Sequence, residues 1–266
     1  MAGRRDTIMS TIRFTGIQVR EGKAATLEDI VVKEEKYSLF LNGIHFTDLV
    51  ASANQTEELG AGFVFCQGLS KQVERVTVSG HEIRVSAPVS GKIEREIGTT
   101  GALGVIRNPP GRVNSEHSIT IDEVYAITSE IVTDLWRETG GVHCSVLYHN
   151  GKIVVRSSDV GRHNTVDKVI GHAVLNDIPL GECVIGCTGR QPRDMVIKYA
   201  HAGVPVIISR AATTDQGLAA AEEYGITLIC FSRHERFTVY THPGRIRDLC
   251  TDECSPFVQG RVRKIL

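Results

Sequence analysis

The C-terminal half of the chain predicts an α/β fold built on a wound, largely parallel sheet. Three observations carry that prediction. Three short apolar runs rich in β-branched residues (Cys183 to Cys187, Val204 to Ser209 and Ile226 to Phe231) have the near-continuous hydrophobicity of strands covered on both faces. Two segments of helical length separate them, each ending on a glycine, Gly203 and Gly225, where a helix C-terminus favours one. Strand ends follow a common pattern: Thr188-Gly189-Arg190, Ser209-Arg210 and Ser232-Arg233. Right-handed crossovers place such ends along one edge of a sheet, where ligands of open α/β sheets collect.

The totals bound the rest. A chain of 266 residues buries one sizeable core or two smaller ones. Its formal net charge of −1 gives no global attraction for nucleic acid or an anionic membrane surface. There is no apolar run of the roughly 18 residues that a membrane span needs. The opening MAGRRDTIMS has two arginines but no apolar stretch, so it reads as no secretory signal. Seven scattered cysteines, mostly in apolar strands, suit reduced thiols and a cytoplasmic location. No internal repeat or low-complexity tract is present.

Taken in order, Met1 to about Thr11 reads as a frayed start. Strands are expected at Ile30 to Val32 and across Tyr37 to Phe46, the latter turned by Asn42-Gly43. Asn54 and Glu57 have capping-box spacing ahead of a short helix with Leu59, Gly62, Phe63 and Cys66 on its apolar stripe. Val76/Val78 and Ile83/Val85 alternate around Ser79-Gly80 as a second hairpin. This defines a smaller β-rich N-terminal domain over residues 12–110. Gly98 to Gly111 lacks periodicity and reads as a long loop at the boundary.

The second domain covers residues 111–266. Thr120 and Glu123 form a capping box for a helix running to Gly140, with Ile121, Val124, Ile127, Ile131 and Leu135 on one face. A hairpin at Asn150-Gly151 follows, with His143 on what reads as an edge strand. Asn164 is then expected to cap a helix bearing Val166, Val169, Ile170 and Val174. The resulting order is helix, hairpin, helix, strand, helix, strand, helix, strand. It predicts a mixed sheet with an antiparallel edge, a parallel remainder and helices on both faces.

That order is also the order of the cytidine-deaminase-like fold, in which a His-x-Glu and a Cys-x-x-Cys hold a catalytic zinc. Here the corresponding places read Arg162-His163-Asn164-Thr165 and Cys187-Thr188-Gly189-Arg190. The glutamate is absent, and an arginine stands where a thiolate should be. A zinc-dependent base deaminase or hydrolase is therefore the least favoured reading, and no metal is expected. What fills the cleft instead is donor-rich: Arg162, His163, Lys168, Thr188, Arg190, Ser209, Arg210, Ser232, Arg233 and Arg236, with helix N-termini expected at Asn164 and Gly189. Guanidinium forks and helix N-termini suit phosphate or pyrophosphate. The bland alternative pairs these cations with Asp159, Asp167, Asp194 or Glu235. Phe231-Ser232-Arg233-His234-Glu235-Arg236 could stack on a base, or could be a core aromatic followed by a charged turn. Thr241-His242-Pro243 reads as structural, and Cys250 and Cys254 share a face if that tail is helical.

Six blocks together, TGGVH (Thr139 to His143), DVGRHNTVDKVIG (Asp159 to Gly171), CTGR (Cys187 to Arg190), AGVPVIISR (Ala202 to Arg210), FSRHER (Phe231 to Arg236) and VYTHP (Val239 to Pro243), resemble the FdhD/NarQ family of formate dehydrogenase accessory proteins. Asn42-Gly43 and LGAGFVFCQG (Leu59 to Gly68) are similar to that family's N-terminal domain. The resemblance implies a deaminase-like fold without deaminase chemistry. It implies transfer of sulfur from a cysteine desulfurase to a molybdenum cofactor, bis(molybdopterin guanine dinucleotide), destined for formate dehydrogenase. It further implies a guanine-dinucleotide site at Phe231 to Arg236, with GDP as a mimic, and no nucleic-acid or membrane partner. A homodimer is left open. One departure stands out. The family carries sulfur on a Cys-x-x-Cys in the interdomain loop, and here Gly101 and Gly104 occupy those places. Either another thiol substitutes (Cys66, Cys250 or Cys254), or the chain is a cofactor-binding chaperone without sulfur transfer. Whether it is an enzyme is open on sequence alone.

Overall fold

The computed structural model describes residues 11–89, 94–96, 104–106 and 109–249. The expected frayed start, most of the 98–111 loop, and Cys250 and Cys254 lie outside the described residues.

Strands β1 (Thr11–Arg20) and β2 (Lys23–Val32) form a long antiparallel ribbon. Only its last few residues were expected as a strand, because most of the ribbon is exposed and its alternation carries no buried face to read. Strands β3 (Glu35–Leu41), β4 (Ile44–Ala51), β5 (Arg75–Ser79) and β6 (Glu82–Ser86) make a second sheet in the order β4-β3-β6-β5. Asn42 and Gly43, both at positive φ, close the β3–β4 hairpin as their types predict. Helix α1 (Thr56–Cys66) packs Leu59, Phe63 and Val64 onto this sheet against Leu39, Ile83 and Val85. Its predicted Asn54–Glu57 capping box is not formed. Gln55 takes the N-cap position in the left-handed region without a side-chain cap, because the Asn54 side chain is engaged by Lys168. Short strands β7 (Glu94–Glu96) and β8 (Gly104–Ile106) pair, β8 lying within the 98–111 stretch expected to be irregular.

The C-terminal unit contains a six-stranded sheet. Helix α2 (Ile121–Glu130) starts at Thr120 with the predicted capping box intact. The expected single helix to Gly140 is two: Thr133 caps a separate α3 (Asp134–Thr139), which ends at Gly140 in the left-handed region. Strands β9 (His143–His149) and β10 (Lys152–Asp159) form the hairpin, followed by α4 (Arg162–Leu175). Then come β11 (Val184–Cys187), α5 (Arg193–Ala202), β12 (Val206–Ser209), α6 (Asp215–Tyr224), β13 (Thr227–Cys230) and the short β14 (Thr238–Val239). Sheet order is β10-β9-β11-β12-β13-β14, with β11, β12 and β13 parallel and the remaining pairs antiparallel. Both edges are thus antiparallel, and β9, expected at an edge, is internal.

Helices cover both faces. Ile185, Ile207 and Leu228 pack against Val169 and Ile170 of α4, Tyr199 of α5 and Ala220 of α6. Val184, Val206, Ile208 and Ile229, which point the other way, pack against Val124 and Ile127 of α2 and Ile131 at its C-cap. Period-two side-chain alternation along the strands divides the two cores. The N-terminal unit docks through α1 on α4 at very short range: a Cβ at Gly62 would lie 1.7 Å from the Asp167 carbonyl oxygen, and one at Gly171 would lie 1.9 Å from that of Glu58. These glycines let two helix backbones touch.

Candidate functional site

The parallel strands β11, β12 and β13 end on a common edge, and backbone bonds stitch their extensions together. Arg210 N donates to Cys187 O (2.9 Å), Ser232 N to Ser209 O (3.0 Å) and Phe231 N to Ala211 O (3.1 Å). The Ser209 hydroxyl donates to Gly189 O at 2.7 Å. β9 runs antiparallel to β11, so its first residues reach the same edge. Cys144 N donates to Thr188 Oγ1 (2.9 Å), and His143 Nδ1 lies 3.3 Å from that hydroxyl. The first turn of α4 closes the row, since a Cβ on Gly189 would stand 2.9 Å from Arg162 Cβ. Thr188, Gly189, Arg162, His143, Arg210, Ser232 and Arg233 therefore share one rim. Arg190 and Arg236 are exposed on the segments that leave it, together with His234 and Glu235.

Two expected helix starts move. α4 begins at Arg162 after Gly161, with Asn164 inside its first turn, where its amide donates to Asp159 Oδ1 and Val50 O. α5 begins at Arg193 after Pro192, so Gly189 lies in a loop and not at a helix N-terminus.

The cations divide into two kinds. Lys168, counted with the cleft on sequence, is fully buried and bonded to Asp159 Oδ2 at 2.6 Å, so it is unavailable. Asp167 accepts Lys198 with both oxygens at 2.7 Å. The bland pairing thus holds for Lys168 with Asp159, while Asp167 pairs with Lys198 and not with a rim arginine. Arg233 uses its guanidinium on the carbonyls of Arg210 (2.5 Å) and Ser232 (2.8 Å), and its N–H donates to Arg236 O across a tight turn. Partial burial and the neighbouring Arg233 charge both push the Arg210 pKa down. Two guanidinium groups crowded together favour an anion between or beside them. Phe231 sits at φ 54 with 41 % of its surface exposed. A β13 terminus that must turn at once to place Ser232 N on Ser209 O forces the aromatic into this left-handed conformation, which is strained for a bulky residue.

His163 is mostly buried, and burial together with Lys198 and Arg162 drives its pKa down to about 3. Its ring is neutral near pH 7, so the 3.4 Å approach to Asp194 is not an ion pair there. Neither ring nitrogen of His163, nor Arg162 Nε, finds a hydrogen-bond partner although all three are buried. Such unpartnered polar atoms are uncommon in proteins, and three of them cluster at the start of α4. Sequence reasoning missed His143 as a rim residue, since its contact with Thr188 depends on β9 being internal. Among the described residues no group of three His, Cys, Asp or Glu side chains is placed to hold a metal ion.

Every described cysteine (Cys66, Cys144, Cys183, Cys187 and Cys230) is buried and unpaired in disulfides. Burial raises the thiol pKa of Cys66 well above its usual value and pushes Cys183 and Cys230 up to about 12. Reactive sulfur carriers need the opposite, an accessible thiolate. Cys66, one of the three substitute thiols, is therefore unsuited to the task.

Fold and rim together define a mixed α/β protein with hydroxyl, amide and guanidinium groups gathered along one sheet edge. The chain belongs to the FdhD/NarQ family, whose model matches residues 32–247. It is 31% identical over 238 residues to the sulfur carrier protein FdhD of Wolinella succinogenes, spanning 82% of this chain and 83% of that one. It is 34% identical over 217 residues to protein FdhD of Methanocaldococcus jannaschii (81% and 89%). The crystal structure of a candidate formate dehydrogenase accessory protein from Desulfotalea psychrophila superposes with a TM-score of 0.76 at 29% identity, covering 89% of this chain and 99% of that one.

Proposed function

We propose that this protein is an accessory factor for formate dehydrogenase maturation that holds a guanine-nucleotide-bearing molybdenum cofactor, bis(molybdopterin guanine dinucleotide), at the rim of the six-stranded sheet. The single observation that carries the reading is the convergence of Thr188-Gly189-Arg190, Ser209-Arg210 and Phe231 to Arg236 on one edge with the Arg162–His163 turn of α4. Exposed Phe231 offers a face for a base, and Arg190, Arg210 and Arg236 offer charge for phosphates. The hairpin, α4 and the three parallel strands with their connecting helices support reading the fold as cytidine-deaminase-like, with an arginine in the metal place. On this reading the partners are a cysteine desulfurase and formate dehydrogenase, the second in keeping with the name of a structural relative.

The test is GDP binding by calorimetry. Arg236→Ala weakens it by about 1.5–3 kcal/mol, the loss of a charged hydrogen bond. Equal affinity in both proteins removes Arg236 from the site. Arg233→Ala lowers thermal stability as well, since that side chain ties the loop to Arg210 O. Arg236→Ala does not.

One observation favours a second reading, a cofactor chaperone without sulfur transfer. Glycines stand at 101 and 104, and all five described thiols are buried. Incubation with a cysteine desulfurase and cysteine, followed by persulfide labelling, decides between them. A label on Cys250 or Cys254 supports sulfur relay, and no labelled thiol leaves the chaperone.

A further inference from the structure

The block DVGRHNTVDK contributes only Arg162 and His163 to the rim. Asp159, Asn164 and Lys168 turn inward and meet the N-terminal unit. Asp159, at the end of β10 and fully buried, receives four donors. Gly161 N (2.8 Å) and Asn164 Nδ2 (2.8 Å) bind its Oδ1, while Ser52 N (3.0 Å) and Lys168 Nζ (2.6 Å) bind its Oδ2. Lys168, also fully buried, spends its other two protons on Ser52 O (3.2 Å) and Asn54 Oδ1 (2.8 Å). Asn164 Nδ2 reaches Val50 O at 2.7 Å. The carboxylate and ammonium have all the partners their geometry allows, so both charges are compensated at a fully buried site. Gly161 is required here, as a Cβ would stand 2.9 Å from Asn164 Nδ2.

Every strand of this network joins one of two places. One is the end of β4 with the segment after it, Val50 to Asn54. The other is the start of α4, Asp159 to Lys168. The first turn of α4 has no side-chain cap of its own. Its N-cap residue is held through Asp159, and Asp159 is held by the N-terminal unit.

We propose that Asp159 and Lys168 form a latch through which the N-terminal unit positions the first turn of α4, and with it Arg162 and His163, for ligand binding at the rim. Both are positioning residues, since neither reaches the surface. The inference rests on the reading that this rim takes a nucleotide, but its test does not need that reading to hold.

Two variants loosen the latch. Asn54→Ala removes one acceptor contributed by the N-terminal unit, and Asp159→Asn with Lys168→Met removes both charges together, avoiding an unpaired buried ion. Val124→Ala, in the core on the opposite face of the sheet, serves as a control for general destabilisation. The readout is the His163 ring resonance in histidine-labelled full-length protein, identified by its absence in His163→Gln and followed from pH 8 to pH 5. In wild type and in Val124→Ala it stays flat, because the ring is buried and neutral. In Asn54→Ala it titrates as the turn opens to water, and GDP affinity falls at least about fivefold, as for loss of a charged contact. A flat His163 resonance in both latch variants overturns the proposal, whatever GDP does. A titrating resonance in a protein that never binds GDP, wild type included, upholds the latch and rejects the nucleotide reading instead.

Discussion

The Ser232 hydroxyl lies 2.5 Å from Thr128 Oγ1, and both side chains are buried. Thr128 gives its single proton to Val124 O at 2.6 Å, so Ser232 must be the donor of the pair. The rim loop after β13 is thereby anchored to α2, on the far side of the sheet from α4. Ser232→Ala removes the anchor and leaves the Thr128 bond to Val124 intact. Urea unfolding should show a loss of about 1 kcal/mol, typical of one hydrogen bond. GDP affinity should fall with it, since Phe231 and Arg233 flank the freed residue.

Thiol labelling separates the folded body from the tail. Cys66, Cys144, Cys183, Cys187 and Cys230 should remain unmodified when native protein is treated with iodoacetamide at pH 8, and should all react in guanidinium. Peptide mass spectrometry locates each label. Modification of Cys66 in the native protein would restore it as a carrier of sulfur.

Acid should destabilise the protein through its buried imidazoles. Burial lowers the folded-state pKa of His163 to about 3 and of His201 to about 4, and lowers that of His143 as well. An unfolded histidine titrates near 6.5. Below that pH the unfolded chain takes up protons that the folded rings refuse, so stability is full above about 6.5 and falls as pH drops toward the folded values. Urea midpoints measured from pH 7 to pH 4.5 should decline, and His201→Gln should flatten the slope.

Helix contact between the two units depends on the missing side chain at Gly62. Gly62→Ala would put a methyl group 1.7 Å from Asp167 O, a backbone atom that cannot rotate away. A loss of about 3 kcal/mol or more is expected, at the upper end of overpacking costs. Gly60→Ala is the comparison. Its Cβ meets side-chain methyls of Ile83, Val85 and Val76, the nearest at 2.4 Å, and no backbone atom, so its cost should be smaller.

Local sequence was enough to determine what short-range physics controls. Turns at Asn42-Gly43 and Asn150-Gly151 need left-handed backbone, and those residue types supply it. The Thr120–Glu123 cap and the C-terminal glycines Gly140, Gly203 and Gly225 likewise answer to orphaned helix-end groups within a few residues. Apolar runs with the helices between them gave the parallel strands, and the strand-end pattern gave the rim. Tertiary structure decided the rest, because it turned on competition between distant partners. Asn54 could cap α1 or accept from Lys168, and the buried ammonium took it, since an unsatisfied charge costs more than an unmade cap. Lys168 and Arg162 look alike in sequence, yet helical periodicity turns one into the interface between the units and leaves the other at the edge. Only the three-dimensional fold, by bringing Ser52 beside Asp159 across more than a hundred residues, could tell a cation left at the sheet edge from one that holds the protein together.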